Sequence, residues 1–190
     1  MKEEITINQN HFLKREDDLL KEEHSHYVGI GEIKIGRTRD KLKISSLGSC
    51  IGLVIYPEDK NPKKCAVMGH IMLPKSNKDE RKNLKGRWGL TRFADIAVPT
   101  MIEHLEKIAG KSRRKTFVAK MIGGAEMFGF TKLTMKIGEE NARVTKALLK
   151  KENIPLIKEF TGGDTGMSVE FCVAEYTLTV KPTGGNPKQI

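Results

Sequence analysis

Apolar positions along this chain gather into short, dense runs separated by charged stretches, and the spacing within the runs changes from one to the next. Residues 50–56 and 65–73 are nearly continuous apolar runs rich in β-branched side chains, with a polar, proline-containing stretch at 57–64 between them. Such runs predict two buried strands joined as a hairpin. Upstream, Val28, Ile30, Gly31, Ile33 and Ile35 predict a strand through Gly36, and Leu42 and Ile44 predict another that leads into a turn at Gly48. Residues 91–109 switch to the helical period, with Phe93, Ile96, Ala97, Met101, Leu105 and Ile108 on one stripe and Pro99 as a predicted kink. A strand at 116–122 runs into a tight Gly123-Gly124-Ala125 turn, and a second helix at 139–152 is closed by Asn153 and Pro155. Further strands are predicted at 154–160, 167–173 and 175–181. The strands, roughly seven or eight with two helices, arrive in consecutive groups, which favours an α+β fold of packed layers over a doubly wound parallel sheet.

The remaining stretches set the boundaries. Residues 1–26 are mostly charged and read as a leader, 27–182 as one domain, and 183–190 as a polar tail. The basic stretch 75–90, which ends near Trp88, reads either as a substrate-docking flap or as a solvated loop. His24 and His26 read as solvated residues of the leader, with no partner set that would make a metal site persuasive.

Charge narrows the partners. Lys and Arg number 34 against 24 Asp and Glu, a net charge of +10, so an acidic partner is expected. The basic residues are scattered and lack interleaved aromatics, which argues against nucleic acid. Three cysteines, Cys50, Cys65 and Cys172, with no CxxC and no histidine pair at ligand spacing, exclude a disulfide scaffold and a zinc site, and no cofactor is expected. The N-terminus lacks a signal-like apolar core and no run is long enough for a membrane span, so a cytoplasmic protein without membrane insertion is expected.

Candidate chemistry sits in the hairpin. Side chains alternate with period two, so Cys50, Gly52 and Val54 share one face while Ala66, Met68, His70 and Met72 share one face of the next strand. If the faces coincide, Cys50 and His70 form a candidate nucleophile and base. Glycines at 48 and 52 leave the backbone bare, and the amides of Ser49 and Cys50 are candidate oxyanion donors. Against this stand a cysteine buried as a core residue and a histidine satisfied within the core. The pair needs support from elsewhere in the chain.

That support comes from ordered motifs. Ser46-Leu47-Gly48-Ser49-Cys50, Gly69-His70-Ile71-Met72-Leu73-Pro74, Phe93-Ala94-Asp95-Ile96-Ala97, the run from Lys120 through Gly123-Gly124-Ala125 to Met127-Phe128, Ile137-Gly138-Glu139-Glu140-Asn141 and Gly162-Gly163-Asp164-Thr165-Gly166 resemble, in order, those of the CheD family of chemoreceptor glutamine deamidases. The resemblance spans about residues 28–181 and implies a layered α/β/β sandwich with a papain-like Cys/His site, in which a Cys50 thiolate, its pKa lowered by imidazolium His70, is the nucleophile and His70 is the base. The family's third catalytic position is usually a threonine just ahead of Leu-Gly-Ser-Cys. Here Ile44, Ser45 and Ser46 stand there, and Ser45 is the expected hydroxyl. The implied substrates are glutamines of chemoreceptor cytoplasmic domains, and a CheC-type phosphatase is an implied partner. A weakly active or non-catalytic adaptor of such a phosphatase, and a thiol hydrolase of another amide, are the alternatives.

Overall fold

In the computed structural model, residues 23–82, 89–126 and 136–190 are described. The predicted leader up to residue 22, Trp88, and Met127-Phe128 lie outside the described residues. The strands are β1 (Ser25–Tyr27), β2 (Ile33–Arg37), β3 (Lys41–Leu47), β4 (Ile51–Pro57), β5 (Cys65–Ile71), β6 (Phe117–Gly123), β7 (Leu156–Thr161), β8 (Met167–Cys172), β9 (Thr177–Pro182) and β10 (Lys188–Gln189). The helices are α1 (Lys78–Lys82), α2 (Ala94–Ala109) and α3 (Ile137–Lys151). One sheet runs β1-β3-β8-β9-β10 and the other β2-β5-β4-β6-β7. The arrangement is α+β.

Burial explains why the central runs look as they do. Every residue of β4, β5 and β6 is buried, because their sheet is covered on both faces. Ile51, Leu53, Val67, Ile71 and Met121 face α2 and α3, while the alternate residues Val54, Tyr56, Met68 and Ile122 meet Leu42, Ile44, Val169, Phe171 and Leu178 of the other sheet. Two apolar clusters therefore lie back to back across one sheet, and each fully buried Leu, Ile, Met or Phe contributes about 1.5–3 kcal/mol. The second sheet alternates instead, with Met167, Val169 and Phe171 buried and Ser168 and Glu170 partly exposed. Its outer face carries the ion pair of Lys43 and Glu170.

Helix α2 runs unbroken through Pro99 and buries Ala97, Val98, Met101, Ile102 and Leu105. Met101 lies over Gly69, where a Cβ would stand 2.7 Å from its sulfur. Among the described residues, no helix is long and apolar enough to cross a membrane.

Two short edge strands form in the predicted leader and tail. β1 begins at Ser25 and pairs in parallel with β3, and His26 Nε2 lies 3.4 Å from Asp40 Oδ2, a carboxylate partner brought from fourteen residues away. β10 pairs with β9, and Lys120 Nζ, buried beside the inter-sheet core, donates to the carbonyls of Tyr176 and Ile190, each at 3.0 Å. Both edges are made by main-chain bonds with few apolar side chains, so hydrophobic periodicity does not announce them.

Candidate active site

Gly48-Ser49-Cys50 is the crossing from one sheet to the other, since β3 and β4 belong to different sheets. Its three carbonyls are all held. Ala125 N donates to Gly48 O at 2.9 Å, Asn141 Nδ2 to Ser49 O at 3.0 Å, and Gly124 N to Cys50 O at 2.8 Å. The Gly123-Gly124-Ala125 turn thus spends these two amides on the cysteine turn, which leaves neither for the anion cradle that a Gly-Gly pair suggests. Close approach is possible because the facing residues are glycines. A Cβ on Gly123 would stand 2.2 Å from Cys50 O, and one on Gly138, at the start of α3, would stand 2.5 Å from Gly124 O.

The β4–β5 register brings the predicted pair onto one face. Gly52 is directly opposite His70, and Cys50 precedes Gly52 by two residues on the same face, packed against the inter-sheet cluster. Cys50 stands just ahead of the paired residues, whose ladder begins at Ile51, so it and His70 occupy neighbouring positions on adjacent strands without a hydrogen bond between their side chains. His70 is buried and held on every side. Its N–H donates to Glu32 O at 3.1 Å, its carbonyl accepts from Gly31 N at 2.9 Å, and its ring Nδ1 lies 3.3 Å from Val28 O. A carbonyl only accepts, so Nδ1 carries the hydrogen and the neutral ring's Nε2 holds the lone pair. Nε2 is buried and, among the described residues, bonds to no protein group.

The structure does not bring Ser45 to this pair. On β3, Leu42 and Ile44 point inward, and Ser45 falls on the opposite, exposed face, where its carbonyl accepts from Ser168 Oγ at 2.6 Å. It lines an open groove of about 360 Å³ with Tyr27, Lys43 and Lys181. The inward position is Ile44, whose Cδ1 would be 3.2 Å from a Cβ on Gly52, with Leu47 Cδ1 at 3.0 Å. These two tips close hydrocarbon over the rung that holds His70.

That hydrocarbon sets the electrostatics. Burial pushes the Cys50 thiol above its ordinary range, and burial pulls the His70 imidazole below its own, with the Val28 carbonyl opposing part of the shift. Both shifts favour a neutral thiol and a neutral imidazole, because desolvation disfavours either charge, against the ion pair that the resemblance implies.

Comparison with known proteins gives this geometry a context. A family profile described as CheD, chemotactic sensory transduction, matches residues 72–182. The chemoreceptor glutamine deamidase CheD of Bacillus licheniformis is 39% identical over 156 residues, which cover 81% of this chain and 88% of the relative. The namesake protein of Bacillus velezensis is 42% identical over 146 residues, covering 76% and 82% respectively. The chain belongs to the CheD family. A probable chemoreceptor glutamine deamidase CheD of Clostridium botulinum, 34% identical over 166 residues, covers 86% of this chain and is itself covered over 96% of its length. The CheD profile begins just past His70, so its match covers α2, β6, α3 and the strands that follow, the parts that back the Cys50 turn.

Two contributors escape sequence reasoning. The Val28 carbonyl is main chain and has no residue signature. Asn141 is a buried polar residue near the start of a helix, and its presence in the Ile-Gly-x-x-Asn run is the only trace of its role.

Proposed function

We propose that this CheD-family chain is a chemoreceptor glutamine deamidase with Cys50 as nucleophile and His70 as base. The observation that carries the reading is the coincidence of Cys50 and His70 on one buried face with the lone pair of His70 Nε2 unengaged. The relatives' names supply the substrate class.

The chemistry follows from a neutral pair. As the thiol sulfur attacks the carboxamide carbon of a bound glutamine, Nε2 takes the thiol proton, and the imidazolium forms only at that moment. Charge gathers on the carboxamide oxygen, where each well-placed N–H donor is worth about 3 kcal/mol. The Cys50 N–H is the proposed donor. Imidazolium then gives its proton to the departing nitrogen, the C–N bond breaks, and ammonia leaves a thioester on Cys50. Water attacks the thioester while His70 takes its proton. The C–S bond breaks, the proton returns to sulfur, and glutamate is released. Val28 O keeps the imidazole in the required tautomer throughout, the role that the sequence assigns to Ser45. A chain of net charge +10 is steered towards an acidic receptor surface. A CheC-type phosphatase is a second proposed partner.

The test is ammonia release from a purified chemoreceptor cytoplasmic domain by wild type, Cys50→Ala and His70→Ala, with receptor binding measured in parallel. Wild type releases ammonia, and both variants bind without turnover. Release by Cys50→Ala contradicts the mechanism, whereas an inert wild type that binds a CheC-type phosphatase replaces catalysis by an adaptor role.

A further inference from the structure

We propose that Asn141 is a positioning residue that aims the Cys50 N–H at the developing oxyanion; this rests on the deamidase reading above. Asn141 is fully buried on α3, and its Nδ2 donates to Ser49 O at 3.0 Å and to Met72 O at 2.9 Å. Both partners are carbonyls, which only accept, so the orientation of the amide is forced. One side chain thereby ties the turn that presents the nucleophile to the strand end two residues beyond the histidine.

The consequence for the oxyanion donor follows from peptide planarity. In a trans peptide the N–H points away from the C=O of the same unit. Asn141 holds the Ser49 carbonyl towards α3, so the N–H of Cys50 is turned away from α3. No described residue accepts a hydrogen bond from that N–H. The neighbouring carbonyls of Gly48 and Cys50 are fixed by Ala125 N and Gly124 N, which hold the flanking peptide units, so Asn141 is the side chain that fixes the rotation of the Ser49–Cys50 unit between them. The helix is itself seated by Gly138 against Gly124, and Asn141 lies three residues further on, a little under one turn.

A second feature separates this role from simple packing. The Oδ1 atom of Asn141 is buried and has no hydrogen-bond partner among the described residues. A residue selected only to fill space at this position would not strand a carbonyl oxygen inside the protein. What the amide provides, and an apolar side chain does not, is two donors diverging from one nitrogen.

The experiment compares wild type with Asn141→Ser and with the isosteric Asn141→Asp, which lacks the amide donors; two variants are used in case one fails to fold. Three quantities are read: kcat, KM for a chemoreceptor cytoplasmic domain, and the rate of Cys50 alkylation by iodoacetamide, a displacement that develops no carboxamide oxyanion. The expected result is a fall in kcat of about 30- to 100-fold, towards the loss seen when an oxyanion donor is removed, with KM and alkylation rate within about twofold of wild type. Alkylation that falls in step with kcat overturns the proposal in favour of a structural role, and so does kcat within about threefold of wild type. An inert wild type removes the deamidase reading and the inference with it, whereas an active wild type with unaffected variants removes the inference alone.

Discussion

Replacing Gly123 by alanine tests how tightly the nucleophile is held. Its φ is +103° and a Cβ there would stand 2.2 Å from Cys50 O. Tolerable contacts begin at about 3.2 Å, so something must move by about 1 Å, and the nearest atoms are main chain rather than a flexible side-chain tip. Two costs add: about 1–2 kcal/mol for a Cβ in a left-handed conformation and about 1–3 kcal/mol for overpacking. Gly162 separates them, because its φ is +87° and no described residue lies within 4 Å of the position its Cβ would take, so Gly162→Ala carries the conformational cost without the overpacking. Thermal unfolding should drop by about 4–20 °C for Gly123→Ala, given about 2–4 °C per kcal/mol for a domain of this size, and by about 2–8 °C for Gly162→Ala. Deamidation kinetics should follow the same division. A displacement of about 1 Å at the nucleophile costs on the order of 100-fold in kcat, whereas Gly162→Ala leaves kcat nearly unchanged. Equal stability losses in the two variants, together with full activity in Gly123→Ala, would refute the reasoning.

Two further outcomes follow from the buried pair. Because desolvation raises the Cys50 thiol and lowers the His70 imidazole, iodoacetamide alkylation of Cys50 should rise only above the ordinary thiol range of about 8.5, and activity should persist below the ordinary imidazole value of about 6.5. A plateau of alkylation at neutral pH would mean a preformed thiolate. The same shift gives His70 a sign in stability. Above the ordinary imidazole value both states hold it neutral, and as pH falls through that value the unfolded chain takes a proton that the folded chain refuses, so stability declines until the folded group also protonates. His70→Ala should weaken that decline in acid-unfolding curves, and an unchanged slope would contradict it. Ser45→Ala should keep kcat/KM within about twofold, since its hydroxyl lies on the exposed face of β3; a loss of about tenfold would restore the hydroxyl to the mechanism.

The parts of this fold written in side chains were legible before any coordinates. The β4–β5 hairpin follows from two apolar runs joined by a polar turn, and α2 follows from its stripe. What escaped was written in the main chain or in packing. β1 and β10 are short polar strands joined by backbone bonds, and the predicted turn at Gly48 does not announce that the chain changes sheets between β3 and β4. Choosing Ser45 from three candidate positions weighed chemistry without the face each one takes; Leu42 and Ile44 already fix the inward register, and the bulge comes only after Ile44. The direction of the two pKa shifts was hidden for a related reason, because burial of the pair depends on how the sheets pack.

The most direct measurement is peptide mapping of a chemoreceptor cytoplasmic domain incubated with the protein in water enriched in oxygen-18. Deamidation through a Cys50 thioester requires particular glutamines to become glutamates that carry one solvent oxygen, with wild type and not with Cys50→Ala or His70→Ala. Unmodified glutamines with wild type, or the same labelled sites with Cys50→Ala, would contradict it.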